Sequence, residues 1–102
     1  MARLSYAPRA LRDLERLTDF LLEADPSAAL ETVELIAEAV NILRRHPEIG
    51  RPVEDGLHEL VISRGRTGYV ALYSYEAVYD ACLILAVRHQ REAGYPDKPD
   101  ET

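Results

Sequence analysis

The chain contains 102 residues and carries a formal net charge of −6, with a sequence pI of about 5.0. Its length fits a single domain with one hydrophobic core, and its acidic balance excludes a general affinity for nucleic acid, which depends on clustered lysine and arginine. Hydrophobic residues make up 47% and charged residues 29% of the sequence, so we expect a folded globular domain. No window approaches the ~20 apolar residues of a membrane span, and we expect a cytoplasmic protein.

The first half of the chain predicts one strand and two helices. Residues 3–6 form a short strand candidate, and leucines at three- and four-residue intervals then predict a helix over residues 8–22. Asp25 and Pro26 are a typical cap and first turn, and a second apolar stripe predicts a helix over residues 26–45. The short break between the two helices predicts an antiparallel helical hairpin.

The second half predicts the sheet that the hairpin covers. Residues 58–63, 69–75 and 79–88 are three runs typical of strands. The predicted fold class is therefore α+β, in the order β-α-α-β-β-β, with the hairpin packed on one face of an antiparallel sheet. We expect one domain over residues 1–95 and a flexible polar tail over residues 96–102.

Charge is unevenly distributed along the chain. Residues 13–38 contain eight acidic residues and one arginine, and the remaining sequence carries a net charge of +1. The three histidines are scattered and Cys82 lies alone in an apolar run, so we expect a buried inert thiol, no metal site and no cofactor.

Five short motifs in this order resemble the RelE/ParE superfamily of toxins from bacterial type II toxin-antitoxin systems, some of which are described as plasmid stabilisation proteins. The resemblance covers residues 3–95, and the long helical hairpin with HPxxGRP is more similar to the ParE branch than to the RelE branch. The motifs are PxAxxDL at 8–14, LxxHPxxGRP at 43–52, LxEL at 57–60, YxxLY at 69–73 and ILxVRHQR at 84–91.

The resemblance implies a toxin that a cognate antitoxin protein holds inactive in a complex. A ParE-like member is expected to inhibit DNA gyrase and arrest growth without catalysis of its own. The alternative is a RelE-like endoribonuclease that cleaves mRNA on the ribosome with basic, histidine and tyrosine groups of the sheet. A third possibility is a binding or regulatory protein that keeps the fold without toxicity.

The ribonuclease hypothesis has four candidate residues. RNA cleavage needs groups that move protons and a cation near the phosphate, and Arg66, His89, Arg91 and Tyr95 supply these types. If residues 83–91 are extended, His89 and Arg91 share one face with Leu83, Leu85 and Val87. Lys98 is the only lysine, so the lysines of RelE-type ribonucleases have no counterpart beyond Arg64 and Arg66.

A recognition surface is the competing interpretation of the same residues. Arginines that meet an acidic antitoxin or a target would also gather near the end of the last strand. A simpler structural alternative is that Arg88 pairs with a carboxylate such as Glu59 or Asp80. The candidates for antitoxin or target binding are Arg51, Arg64, Arg66, Arg88 and Arg91.

Overall fold

The computed structural model describes residues 1–64 and 67–92, and it confirms the α+β prediction. A five-stranded sheet carries two helices on one face. The elements, in chain order, are β1 (Arg3–Tyr6), α1 (Pro8–Ala24), α2 (Pro26–Asn41), a 3₁₀ turn (Ile42–Arg44), β2 (Arg51–Pro52), a second 3₁₀ turn (Glu54–Gly56), β3 (His58–Arg64), β4 (Thr67–Glu76) and β5 (Ala81–His89).

The strand order across the sheet is β1-β5-β4-β3-β2. β3, β4 and β5 pair antiparallel as predicted, and β2 pairs antiparallel with β3, but β1 joins the sheet parallel to β5. The parallel pair is possible because the whole intervening chain serves as the crossover between the two strands. The two-residue strand β2 was not predicted, since a run of that length has no periodicity to read.

Local chemistry explains where the helices begin and end. Proline occupies the first turn of both helices, where a missing N–H has no consequence. The carboxylate of Asp25 accepts hydrogen bonds from the backbone N–H groups of Ser27 (3.1 Å) and Ala28 (3.3 Å), which confirms it as the cap of α2. α2 ends at Asn41, four residues before the predicted boundary, because the chain tightens into the 3₁₀ turn.

The core lies between the hairpin and the helix-facing side of the sheet. Leu17 of α1 and Ile36 and Val40 of α2 pack there against sheet residues such as Tyr73 and Ile84. Cys82 belongs to the same core, is 1% exposed, and has its Sγ 3.9 Å from the carbonyl oxygen of Leu43. Burial raises the pKa of the Cys82 thiol, with a smaller contribution from the charge of Asp80.

Candidate functional site

The HPxxGRP loop builds the edge of the sheet. Gly50 is buried, and its backbone N–H donates a hydrogen bond to the Tyr73 hydroxyl oxygen at 2.9 Å. A Cβ atom at Gly50 would lie 2.7 Å from the Tyr73 ring and 2.8 Å from the Glu59 carbonyl oxygen, so this position has room only for glycine. Burial raises the pKa of the Tyr73 hydroxyl, although the bond from Gly50 opposes this shift. The motif is thus part of the packing between loop and sheet.

Arg51 follows in the same loop and is paired. Its Nε and Nη2 atoms donate to one carboxylate oxygen of Glu59, at 3.1 and 2.8 Å. The Arg51 side chain is 60% exposed, and the ion pair spans the register contact between β2 and β3. A partner that bound Arg51 would therefore meet a guanidinium whose charge is already balanced.

A bulge in β5 changes which of its residues share a face. Leu72 of β4 pairs with Ala86 and Tyr73 pairs with Ile84, so Leu85 is the extra residue. Ile84 and Val87 consequently both enter the core. The predicted alternation of residues 83–91 is wrong for this reason, and the strand ends at His89 before Arg91.

The side chain of His89 packs inward and takes part in the turn that follows β5. Its ring lies edge-on to the Tyr69 ring, with centroids 5.2 Å apart, and Tyr69 is a core residue. His89 Nδ1 accepts a hydrogen bond from the backbone N–H of Arg91 at 3.0 Å. His89 thus lies on the helix-facing side of the sheet, with one ring nitrogen occupied by the turn.

Arg88 organises the same turn from the other side of β5. Its Nη1 atom donates to the backbone carbonyl oxygens of His89 (3.3 Å), Gln90 (3.3 Å) and Glu92 (3.1 Å). Carbonyl groups that leave a strand end need such donors. Arg88 therefore has a structural role in holding the chain after β5.

Two carboxylates that sequence reasoning missed complete this site. Asp13 of α1 is 1% exposed, and its Oδ2 atom accepts a hydrogen bond from the Val87 N–H at 2.9 Å. Val87 needs this partner because β1 pairs with β5 only as far as Ile84. An acid among the buried residues of a leucine stripe was the available signal, since a buried charge requires a partner.

Glu92 closes the network from the other end. It accepts hydrogen bonds from the His89 backbone N–H and from Arg16 Nη1, both at 2.9 Å. Arg16 Nη2 in turn lies 3.8 Å from the Asp13 carboxylate. This chain of contacts, which we call the strand-end network, consists of Asp13, Arg16, Val87, Arg88, His89 and Glu92.

The structure brings some of the predicted residues together. Arg88, His89 and Arg91 lie close together at the end of β5. Arg51 lies on the edge strand β2, which β4 and β3 separate from β5. Arg66, Tyr95 and the predicted tail lie outside the described residues, as does the side chain of Arg64.

The open face of the sheet, which turns away from the helices, is apolar at its centre. Its residues alternate with the core residues along β3, β4 and β5, and its described part includes no histidine. Val61 and Leu83 are 45% and 36% exposed there. Leu72 on the same face is partly exposed, whereas Val70 and Ala86 are buried, at 2% and 1% exposure.

The helical hairpin is the second region with unusual exposure. Large apolar side chains point into solvent from both helices, among acidic residues that dominate this part of the chain. The exposed fractions are 53% for Leu11, 73% for Phe20, 48% for Leu22 and 63% for Leu30.

Residues 1–64 and 67–92, which the structure describes, include neither a candidate metal cluster nor a membrane-spanning helix. In that part of the chain, no group of three or more histidine, cysteine or acidic side chains is placed to hold a metal ion. None of its helices has both the length and the apolar character needed to cross a membrane.

The sequence matches one protein-family model and is similar to named bacterial toxins. The family model of the ParE toxin of type II toxin-antitoxin system, parDE, matches residues 4–94. Toxin RelE3 of Caulobacter vibrioides is 37% identical over 92 residues, which cover 90% of this chain and 98% of that protein. Toxin RelE1 of the same bacterium is 38% identical over 65 residues, or 64% of this chain and 70% of that protein.

Solved structures share the fold. A chain of the chromosomal ParDE system of P. aeruginosa superposes with a TM-score of 0.74 at 26% identity, covering 87% of this chain and 96% of that one. A chain of the RelBE2 toxin-antitoxin complex of Mycobacterium tuberculosis gives 0.57 at 24% identity, covering 89% and 93%. With the fold described above and the family match over residues 4–94, the chain belongs to the ParE toxin family within the RelE/ParE superfamily, and is the toxin of a type II toxin-antitoxin system.

Proposed function

We propose that this toxin inhibits DNA gyrase by binding and does not cleave RNA. The observation that carries the proposal is the position of His89, the one histidine among the candidate catalytic residues. Its ring packs against Tyr69 on the helix-facing side, and its Nδ1 atom holds the Arg91 N–H. A general acid or base needs a ring nitrogen that faces the substrate.

The composition of the open sheet face supports the same proposal. Cleavage of RNA needs cations and proton donors gathered around a phosphate. Among described residues, the accessible apolar side chains of this face are Val61, Leu72 and Leu83, and Arg88 is engaged with three carbonyl oxygens of the following turn. Such a surface is better suited to contact with a protein than with a phosphate backbone.

The family match supports a ParE-like activity, which the resemblance associates with gyrase. Gyrase lies in the cytoplasm, so we place the activity there, and we expect such a module to stabilise the replicon that carries it. We also propose that the toxin assembles with a cognate antitoxin protein. The solved structures that share its fold include the P. aeruginosa ParDE system and RelBE toxin-antitoxin complexes.

An endoribonuclease is the second candidate, because the two Caulobacter relatives carry RelE names. In that case His89 and Arg91 would act at the end of β5, together with Arg66 and Tyr95. The ribosome and its mRNA would then be the target. The two candidates make opposite predictions for transcripts and for DNA in the same cells.

Induced expression of the toxin alone in a bacterial host tests the proposal. We expect intact mRNA, a DNA-damage response and growth arrest within the first minutes. The double variant His89→Ala and Arg91→Ala should remain toxic, provided that circular dichroism shows it folded. Rapid transcript loss that this variant abolishes would establish the endoribonuclease, and harmless expression of the folded chain would indicate a non-toxic binding protein.

A further inference from the structure

A groove with two arginines opens at the β1 edge of the sheet. Its volume is about 530 Å³. It lies beside the first residues of β5, whereas the strand-end network lies at the last residues of that strand. We call it the β1 groove, and its polar lining residues are Arg3, Ser5, Arg44, Glu76 and Tyr79.

The register of β1 places Arg3 and Ser5 on the open face of the sheet. Leu4 and Tyr6 pack against the core, so the residues that alternate with them point to the other side. Ser5 also lies opposite Leu83, which is exposed on the open face. The acidic residues of the helical hairpin belong to the opposite side of the sheet. The β1 groove is therefore separated from most of the negative charge of the chain.

The two arginines of the β1 groove are held by uncharged acceptors. Arg3 Nη2 donates to the backbone carbonyl oxygen of Tyr79 at 3.3 Å, and Arg44 Nε donates to the side-chain oxygen of Asn41 at 2.8 Å. In the described part of the chain, no carboxylate oxygen lies within 4.0 Å of either guanidinium. These contacts orient the guanidinium groups and leave their positive charges unbalanced.

The lining of the β1 groove suits a phosphate backbone. Guanidinium groups bind phosphate oxygens strongly, and serine hydroxyl groups donate to the same oxygens. The ring of Tyr79, which is 67% exposed, offers an aromatic surface beside them. Glu76 also lines the groove, and its charge opposes a bound anion. Because the whole chain carries a charge of −6, we expect weak contact with a free polyanion.

We infer that the β1 groove binds the phosphate backbone of DNA that gyrase holds. The inference rests on the proposed function, which supplies a protein that presents DNA beside its own surface. Arg3 and Ser5 share the open face with its accessible apolar side chains, such as Leu83. One orientation of the toxin thus presents apolar residues to gyrase and arginines to the DNA. Gyrase supplies the affinity that the groove lacks by itself.

Titration of the full chain with a DNA duplex of about 12 base pairs, roughly one helical turn, tests the inference without gyrase. Fluorescence anisotropy of the labelled duplex measures binding at several salt concentrations. We expect equal binding of duplexes with different sequences, because phosphate contacts carry no sequence information. The logarithm of the association constant should fall against the logarithm of the salt concentration with a slope of roughly −2, since each phosphate contact contributes about −0.9.

Matched variants locate the site. Arg3→Met and Arg44→Met should each reduce the salt slope by about 1, and the double variant should abolish binding. Arg51→Met is the control, because Arg51 is 60% exposed but paired with Glu59, and it should leave binding unchanged. Glu76→Gln should tighten binding about two- to fivefold, since it removes a like charge from the groove. This gain tests the site even if an arginine variant fails to fold.

Several outcomes would overturn the inference. They are a salt slope near zero, binding that survives loss of both arginines, an equal loss in the Arg51→Met control, and weaker binding by Glu76→Gln. Tighter binding of an RNA duplex of the same sequence would also contradict the assignment to DNA. Competition by polyglutamate at equal charge concentration would assign the groove to an acidic peptide instead.

Purified gyrase, with and without a DNA duplex, separates the inference from the proposed function. We expect DNA to strengthen the retention of the toxin on gyrase. The double arginine variant should bind gyrase alone as well as the original chain does and should gain nothing from DNA. A toxin that binds gyrase but never DNA would refute the inference alone. A toxin that binds the duplex but not gyrase would refute the proposed function and leave the groove as a DNA-binding site.

Discussion

The strand-end network and the exposed leucines of the helical hairpin differ in residue type and in their surroundings. The strand-end network contains two arginines, a histidine and two buried or half-buried carboxylates, yet its hydrogen bonds run mainly between its own members. The exposed leucines of the hairpin, Leu11, Leu22 and Leu30, are ordinary apolar residues that remain in contact with solvent. Residue types that suggest chemistry can thus serve the fold, whereas several plain leucines of the hairpin stay outside the core.

The largest effect in this comparison is expected at Asp13. Asp13→Ala leaves the Val87 N–H buried without an acceptor and removes a charge near Arg16. We expect a loss of about 3 kcal/mol in the free energy of unfolding, measured by urea denaturation. Asp13→Asn keeps an oxygen acceptor and should lose less. Equal losses for both variants would show that the hydrogen bond to Val87 is unimportant.

The second-largest loss of stability is expected at Arg88. Arg88→Met keeps much of the apolar stem but removes the donor to three carbonyl oxygens, and we expect a loss of about 2 kcal/mol. The same denaturation measurement checks it. Arg45→Met, at an exposed position after α2, is the control and should change stability by no more than about 0.5 kcal/mol. A loss at Arg88 no larger than this control would remove its assigned role.

Glu92 is expected to contribute less, because its side chain is 25% exposed. Glu92→Ala breaks its bonds to Arg16 and to the His89 N–H, and should cost about 1 kcal/mol. Hydrogen exchange of the His89 amide should also accelerate. An unchanged exchange rate would mean that the turn holds without the carboxylate, as expected for the exposed control Glu23→Ala.

The smallest effect on stability is expected for the exposed leucines of the hairpin. Leu22→Gln and Leu30→Gln keep helix propensity and replace side chains that are about half exposed or more. Each should change the free energy of unfolding by no more than about 0.5 kcal/mol. Thermal and urea unfolding measure this directly. A loss of several kcal/mol in the free energy of unfolding would show that these leucines belong to the core, and the two regions would then not differ in this respect.

Periodicity made the helices and the three long strands predictable, because a buried face repeats along each element. The residue types of Asp25, Pro8 and Pro26 predicted the cap of α2 and the first turns of both helices. The bulge at Leu85 was not predictable in this way, because an extra residue depends on the partner strand. The inward position of His89 depends on that bulge and on the end of the strand at His89.

The site was less predictable than the fold because its contacts join distant parts of the chain. Asp13 and Val87 are 74 positions apart, and no local pattern links a helix carboxylate to a strand N–H. Which leucines of the helices are buried was unpredictable for a different reason. Leu17 is buried and Leu11 is exposed, although both belong to the row of leucines at three-residue intervals, because exposure is decided by where the sheet and α2 lie.

The position of β5 determines when this toxin can acquire its structure. β5 is the last of the five strands to leave the ribosome, yet it lies between β1 and β4 in the sheet. Until it emerges, β1 has no strand to pair with, and Asp13 of α1 lacks the Val87 N–H. The helical hairpin is synthesised much earlier and can form locally. A nascent chain can thus form its hairpin before its sheet is complete.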